Sequence, residues 1–276
     1  MKRRTIILFL ACLLAAVPLC AQTDVAIDPE TGGRLSFELD KKLAKGLHLS
    51  LEEEIRFEDN FGSFDRFQTT LGVKYKVHPN VKLGMGYALI TPYSVVKSSF
   101  KDPRHRLMAD ATGTLKLGLW NLSLRERLQW THHTGDMNTY QNPRNVLGLK
   151  SRVMAKYKGF GAWEPYASVE LRHILNAHSV AANYDESTGN YCTDDGSQTG
   201  EAGWFLDGST AYMNRLRGTL GVDYRINRSS TLCFSLMADR YRDKVIDANS
   251  SCTKLKSYTS ETGFMGWFCV GYNYSF

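Results

Sequence analysis

The stretch Leu47-His48-Leu49-Ser50-Leu51-Glu52-Glu53-Glu54-Ile55-Arg56-Phe57 sets apolar side chains at odd positions and polar ones at even positions, interrupted only by Glu53. A period of two is that of a β-strand with one apolar and one polar face. The same odd parity runs through Phe67, Leu71, Val73, Tyr75 and Val77, then through Val81, Leu83, Met85, Tyr87 and Leu89. His78-Pro79-Asn80 lies between these two runs and has the composition of a tight turn. Further alternating runs cover Leu107 to Leu119, Leu122 to Trp130, Leu147 to Tyr157, Tyr166 to Leu175, Leu216 to Tyr224, Leu232 to Ala238 and Phe264 to Phe276.

The connections alternate in length. Short ones fall near 78–80, 120–121, 158–163 and 227–230, and longer polar ones at 92–103, 133–143, 178–209 and 243–262. Short turns on one side and long loops on the other are the habit of a transmembrane barrel. Trp120, Tyr157, Trp163, Tyr166, Tyr224 and Tyr274 gather at the short-turn ends, as an interfacial girdle would. The expected fold is therefore all-β, an antiparallel transmembrane β-barrel with short periplasmic turns and longer outer loops. Counting back from Phe276 gives ten strands beginning at Leu47, with Arg34 to Lys41 as an extra inward strand. An outgoing strand at Val25-Ala26-Ile27 and a turn at Pro29 to Gly33 would make the count twelve. In the ten-strand alternative the first residues thread the lumen or lie outside the wall.

Lys2, Arg3 and Arg4, then the apolar run Ile6 to Val17 and a small residue at Ala21, read as a secretory signal peptide over 1–21. An N-terminal segment 22–33 and a barrel 34–276 follow, and the expected location is a Gram-negative outer membrane. Removing 1–21 takes away three cations and no acids, which leaves 31 Lys+Arg against 28 Asp+Glu. That excess of three predicts no nucleic-acid partner. Export permits disulfides, and Cys192 and Cys252, both in polar loops, are the pair placed to bridge. Four free thiols is the equal alternative. No metal-ligand spacing occurs, and no cofactor is expected.

Four blocks carry a family resemblance: Arg34-Leu-Ser-Phe-Glu-Leu-Asp-Lys-Lys-Leu-Ala-Lys-Gly, Phe64-Asp-Arg-Phe-Gln-Thr-Thr-Leu-Gly-Val, Leu122-Ser-Leu-Arg-Glu-Arg-Leu-Gln and Asn214-Arg-Leu-Arg-Gly-Thr-Leu-Gly. The chain resembles the domain-of-unknown-function 2490 family of bacterial outer-membrane barrels over nearly its whole mature length. The resemblance implies a barrel in the outer membrane. It implies no activity and no catalytic residues.

If the apolar parity faces lipid, the other parity lines the lumen. On the early strands this parity holds Glu52, Glu54, Arg56, Arg66, Lys74, Lys76 and Lys82. Arg104, Arg106, Asp110, Lys116, Arg125, Arg127, Arg144, Lys150, Arg152, Lys156, Glu170, Arg172, Arg215, Arg217, Asp223, Arg225 and Asp239 follow, giving eighteen cations against six acids. A low-dielectric wall lined with one sign focuses its field, so a wet lumen would favour anionic solutes or acidic oligosaccharides. The bland alternative is a barrel filled by its own Arg–carboxylate pairs, such as Glu52, Glu54, Asp110 and Glu170 with Arg56, Arg106, Arg127 and Arg172.

A lipid hydrolase is the third reading. It would draw on His132, His133 or His173 with Ser123, Thr131 or Ser168, but no nucleophile motif surrounds them and no catalytic residue is assigned. Glu53 and Glu126 fall on the lipid-facing parity, where a β-bulge is the expected explanation and a polar association patch the sharper one. Tyr184, Tyr191, Trp204 and Phe205 mark the longest loop as one that packs on itself or lies over the mouth.

Overall fold

A computed structural model of the chain describes residues 23–193, 196 and 200–276, so the leader read at 1–21 lies outside the described residues. The described chain forms strands β1 (Thr23–Ala26), β2 (Glu30–Ala44), β3 (Leu47–Glu58), β4 (Ser63–His78), β5 (Val81–Ser94), β6 (Ser99–Phe100), β7 (Arg104–Leu117), β8 (Trp120–His133), β9 (Asn145–Tyr157), β10 (Trp163–Val180), β11 (Asn183–Asp185), β12 (Asn190–Cys192), β13 (Leu206–Arg225), β14 (Ser230–Ala248) and β15 (Leu255–Ser275). Eleven of them (β2–β5, β7–β10 and β13–β15) pair in sequence and close into a barrel through β15 and β2.

The closure corrects the expected count of twelve, and the alternative of ten. Residues 23–26 do not run outward. They pair in parallel with β15, Thr23 to Ala26 opposite Thr259 to Thr262, and after a break at 27–29 the chain continues in the same direction as β2. β2 pairs in parallel with β15 from Glu30 opposite Met265 to Asp40 opposite Ser275. With no reversal at Pro29 there is no outgoing strand and no outer turn there. First and last wall strands run the same way, and a parallel ladder satisfies their backbone groups.

Alternation is carried around the wall by register. Leu51, Leu71, Tyr87, Leu107, Trp130 and Leu147 are successive cross-strand partners on β3, β4, β5, β7, β8 and β9. All six are large and apolar, and the first five are exposed. On the opposite face the corresponding row reads Arg127, Lys150, Arg172, Arg215. The barrel is thus apolar outside and charged within.

The strands are longer than the alternation suggested. β14 and β15 continue to Ala248 and from Leu255, leaving only 249–254 as the connection where 243–262 was expected. Past the apolar band the adjacent Val245 and Ile246 interrupt the alternation, so the period-two signal disappears although the ladder continues. The longest loop also contains structure, the hairpin β11–β12. At its turn Asp185 accepts hydrogen bonds from the Ser187 hydroxyl at 2.7 Å, the Thr188 hydroxyl at 2.8 Å and the Ser187 amide at 2.9 Å. Those donors, Ser187 first, hold its carboxyl below the usual range.

The compact apolar core lies at the long-loop end. Phe205, Ile246, Ala248, Cys252 and Leu255 are buried together, with Val180, Trp204 and Tyr258 packed around them. The Gly203 amide donates to the Cys252 carbonyl at 2.8 Å and Trp204 Nε1 to the Thr253 carbonyl at 2.9 Å. Asn138 Nδ2 donates to Cys252 Sγ at 2.9 Å, and His178 Nε2 lies 2.8 Å from the Thr139 carbonyl. The loop segments at 138–139, 203–205 and 249–254 are interlocked. Cys252 is spent in this packing and Cys192 lies in the β12 edge; both are free thiols, as are Cys233 and Cys269, and the Cys192–Cys252 bridge does not form.

Phe205 is 0% exposed. Phe205→Ala is expected to cost about 3 kcal/mol of local packing, enough for protease cleavage within 181–205 to accelerate roughly a hundredfold. Timed proteolysis followed by mass spectrometry reads this directly; an unchanged rate would show that the loop is held by its hydrogen bonds alone.

At the short-turn end Trp120 packs on Tyr157 at 4.9 Å and Trp163 on Tyr224 at 4.4 Å. Tyr166 does not belong to this belt. It shares the inward parity of Glu170 and Arg172, and its ring occupies the space a Cβ at Gly221 would need, 2.4 Å away.

Candidate functional site

Inward side chains of β2–β5, β7–β10 and β13 surround a cavity of about 550 Å³. Its lining includes Glu52, Glu54, Arg56, Lys74, Arg106, Asp110, Arg125, Arg127, Lys150, Arg152, Glu170 and Arg217, all named from the sequence. Arg66, Arg104, Arg172 and Arg215 do not line it. Each stands two residues nearer the outer loops than a lining residue, namely Gln68, Arg106, Glu170 and Arg217. A second cavity of about 490 Å³ opens at the short-turn end and shares Glu38, Lys74 and Lys82 with the first.

Carboxylates are threaded between the cations. Arg127 forms a two-pronged pair with Asp110, Nε to Oδ1 at 2.5 Å and Nη2 to Oδ2 at 2.7 Å. Arg125 reaches Glu170 at 2.9 Å and Lys150 reaches the same carboxylate at 4.0 Å. Arg56 pairs with Glu54, Lys156 with Asp223, and Lys74 with Glu38 at 2.8 Å. Asp110 takes Arg127 as expected, and Arg56 takes Glu54. Glu170, however, takes Arg125 and Lys150 rather than Arg172, and Arg106 donates to Thr131 Oγ1 at 3.0 Å rather than to an acid.

Acids from residues the sequence reading did not assign to the lumen reduce the imbalance. Glu38 on β2 and Asp65 beside Arg66 at 2.5 Å are two of them, and the first cavity is lined by nine cations against five carboxylates. Several guanidinium groups still have donors with no acceptor among the described residues: Arg34 Nε and Nη2, and the Nε of Arg125, Arg152, Arg172 and Arg215. Arg106 lies within electrostatic range of Arg172, Arg56 and Arg66 on other strands and of Arg104 on its own.

Arg34, not assigned to the lumen from the sequence, belongs to a buried cluster at the closing seam. Its guanidinium stacks 4.1 Å above the Trp267 ring. Trp267 Nε1 donates to Asp239 Oδ2 at 3.2 Å, and Asp239 also receives Arg217 Nε at 2.6 Å, Arg217 Nη2 at 2.7 Å and Arg215 Nη1 at 3.3 Å. Extending the odd apolar parity of Leu35, Phe37 and Leu39 upstream would have placed Arg34 and Glu38 inside.

The two outward glutamates sit in unbroken ladders, which overturns the bulge explanation. Each faces a cross-strand hydroxyl: Thr69 Oγ1 donates to Glu53 at 2.9 Å, and Ser151 Oγ donates to Glu126 at 2.6 Å. A direct hydrogen bond thus supports each carboxylate on the apolar face. None of Ser123, Thr131 or Ser168 hydrogen-bonds a histidine; Thr131 receives Arg106, and His132 Nδ1 lies 2.8 Å from Asn145 Oδ1.

No curated protein matches the chain. Residues 34–187, more than half of the chain, match the family described as Protein of unknown function (DUF2490), and the protein belongs to that family.

Proposed function

We propose that the barrel spans the outer membrane of a Gram-negative bacterium after cleavage near Ala21, and that its lumen admits or binds anionic solutes, acidic oligosaccharides among them. Support for the membrane comes from the inverted architecture. Met85 is 74% exposed, Leu220 66% and Leu236 60%, within an outward apolar surface that encircles the wall. A surface of that extent is far larger than a soluble monomer carries. Wall strands of 12–21 residues exceed the roughly 9–11 needed to cross a bilayer.

The observation that carries the solute reading is the first cavity, with nine cations, five carboxylates and guanidinium donors left without acceptors. Arginine suits oxyanions because its planar fork bonds two oxygens at once. The Arg127–Asp110 and Arg217–Asp239 pairs favour a second reading, a barrel packed by its own ion pairs.

Planar-bilayer recording under a salt gradient separates the two. The refolded barrel is expected to pass steady current with a reversal potential on the anion side, and Arg125→Ala/Arg127→Ala to reduce the anion-to-cation permeability ratio several-fold. A folded barrel that passes no current and binds no anion overturns the solute reading in favour of the packed one.

A further inference from the structure

His105 and His132 are direct register partners on the outward face of β7 and β8, at the outer-loop end. Opposed side chains of antiparallel strands have Cβ atoms about 4.5–5.5 Å apart. His132 Nδ1 lies 2.8 Å from Asn145 Oδ1. An amide oxygen only accepts, so Nδ1 carries the proton and Nε2 is left as a bare acceptor. His105 Nδ1 lies 2.6 Å from Tyr87 Oη, a hydroxyl that either donates or accepts, so the tautomer with a bare Nε2 is open to His105 as well.

Tyr87 is on β5 and Asn145 on β9, on the far sides of the pair. Each ring is therefore drawn outward from the pair by its Nδ1. With Nδ1 on the edge of each ring nearer β5 or β9, the other edge, Cδ2 and Nε2, is the one nearer the partner histidine. Tyr87 stacks on His105 at 6.0 Å and 27°, and Trp130 on His132 at 5.8 Å and 21°, which limits ring rotation.

We propose that His105 and His132 bind a divalent transition metal through their two Nε2 atoms, on the outer wall of the barrel. Neutral imidazoles whose other nitrogen donates to an oxygen are the common form of metal-bound histidine. Two such ligands suit zinc, nickel or copper rather than calcium or magnesium. Among the described residues no third His, Cys, Asp or Glu joins them, so the other coordination positions are open to water. The site is independent of the lumen and of whether the lumen conducts. His133, on the opposite face by strand alternation, is the natural control.

Calorimetric titration of Zn²⁺ into the full chain, refolded without a histidine tag, tests the assignment. One equivalent should bind. His105→Ala and His132→Ala should each weaken binding by roughly tenfold or more, Asn145→Ala by roughly tenfold, and His133→Ala should leave it unchanged. Unchanged affinity in both His105→Ala and His132→Ala overturns the proposal. Should either variant fail to refold, diethylpyrocarbonate labelling of the wild-type protein decides: Zn²⁺ must protect both histidines, and labelling of both at the metal-free rate overturns the site.

Discussion

Replacing Asp239 with alanine should lower the stability of the barrel by about 3–5 kcal/mol, the range found when one member of a buried charged cluster is removed and its partners are left behind. Asp239 is 1% exposed and receives four donors: two from Arg217, one from Arg215 and one from Trp267. Arg34 and Arg56 are close enough to add their repulsion once the acid is gone. Asp239→Asn keeps an acceptor for Trp267 and should lose roughly half as much. Adding Arg217→Leu to Asp239→Ala should recover part of the loss, because a charge left unpaired costs more than a missing pair. Urea midpoints of barrels refolded into lipid vesicles measure all three. A loss below about 1 kcal/mol for Asp239→Ala would mean that water or an anion already serves these arginines.

That cluster shows what replaces an oily core in this protein. The interior is held by charged pairs, Arg127 with Asp110, Arg125 with Glu170 and Arg217 with Asp239, and the apolar side chains are turned outward. Such an interior keeps its order only while each carboxylate is shared. Glu170 serves both Arg125 and Lys150, and Asp239 serves both Arg215 and Arg217. Cations outnumber these shared acids, and in the proposed solute reading the donors on Arg125 and Arg152, which line the first cavity without an acceptor among the described residues, are the ones an oxyanion would satisfy.

Period-two alternation made the wall legible from Leu47 onward, because one face of each strand must be apolar and a slip of one residue would turn it inside out. It failed where that requirement lapses. Near the long loops Val245 and Ile246 stand side by side among polar residues of β14, and Ile246 serves the loop-end core, so the ladder from Arg242 opposite Thr262 to Asp247 opposite Ser257 left no period of two. The strand count was misread because a parallel seam looks no different in sequence from an antiparallel one; the direction of residues 23–26 depends on β15, more than two hundred residues away. For the cavity, alternation identified which side chains point inward but not which acid each arginine meets. Arg125 reaching Glu170 depends on the register that aligns both with Arg152 across β8, β9 and β10, which no single strand's sequence contains.

The seam itself supplies the second large effect, through Gly32. A Cβ at this position would stand 2.4 Å from the Phe57 carbonyl oxygen and 2.8 Å from Trp267 Cζ3. The first of these is backbone on β3 and cannot swing away; the second can, but only by leaving Asp239 and the stacked Arg34. Gly32→Val therefore forces either β2 away from β3 or Trp267 out of its cluster. Overpacking costs about 1–3 kcal/mol, and the lost indole hydrogen bond and cation–π contact add roughly 1 kcal/mol each. Gly113, on β7, has nothing within 4 Å of its Cβ position, so Gly113→Val should be neutral or slightly stabilising. Hydrogen exchange localises the difference: in Gly32→Val, amides along Glu30–Leu35 and Met265–Val270 should exchange faster while those between β8 and β9 keep their protection. If Gly32→Val proves as harmless as Gly113→Val, Trp267 does not lie over Gly32, and the parallel pairing that closes eleven strands would have to be redrawn.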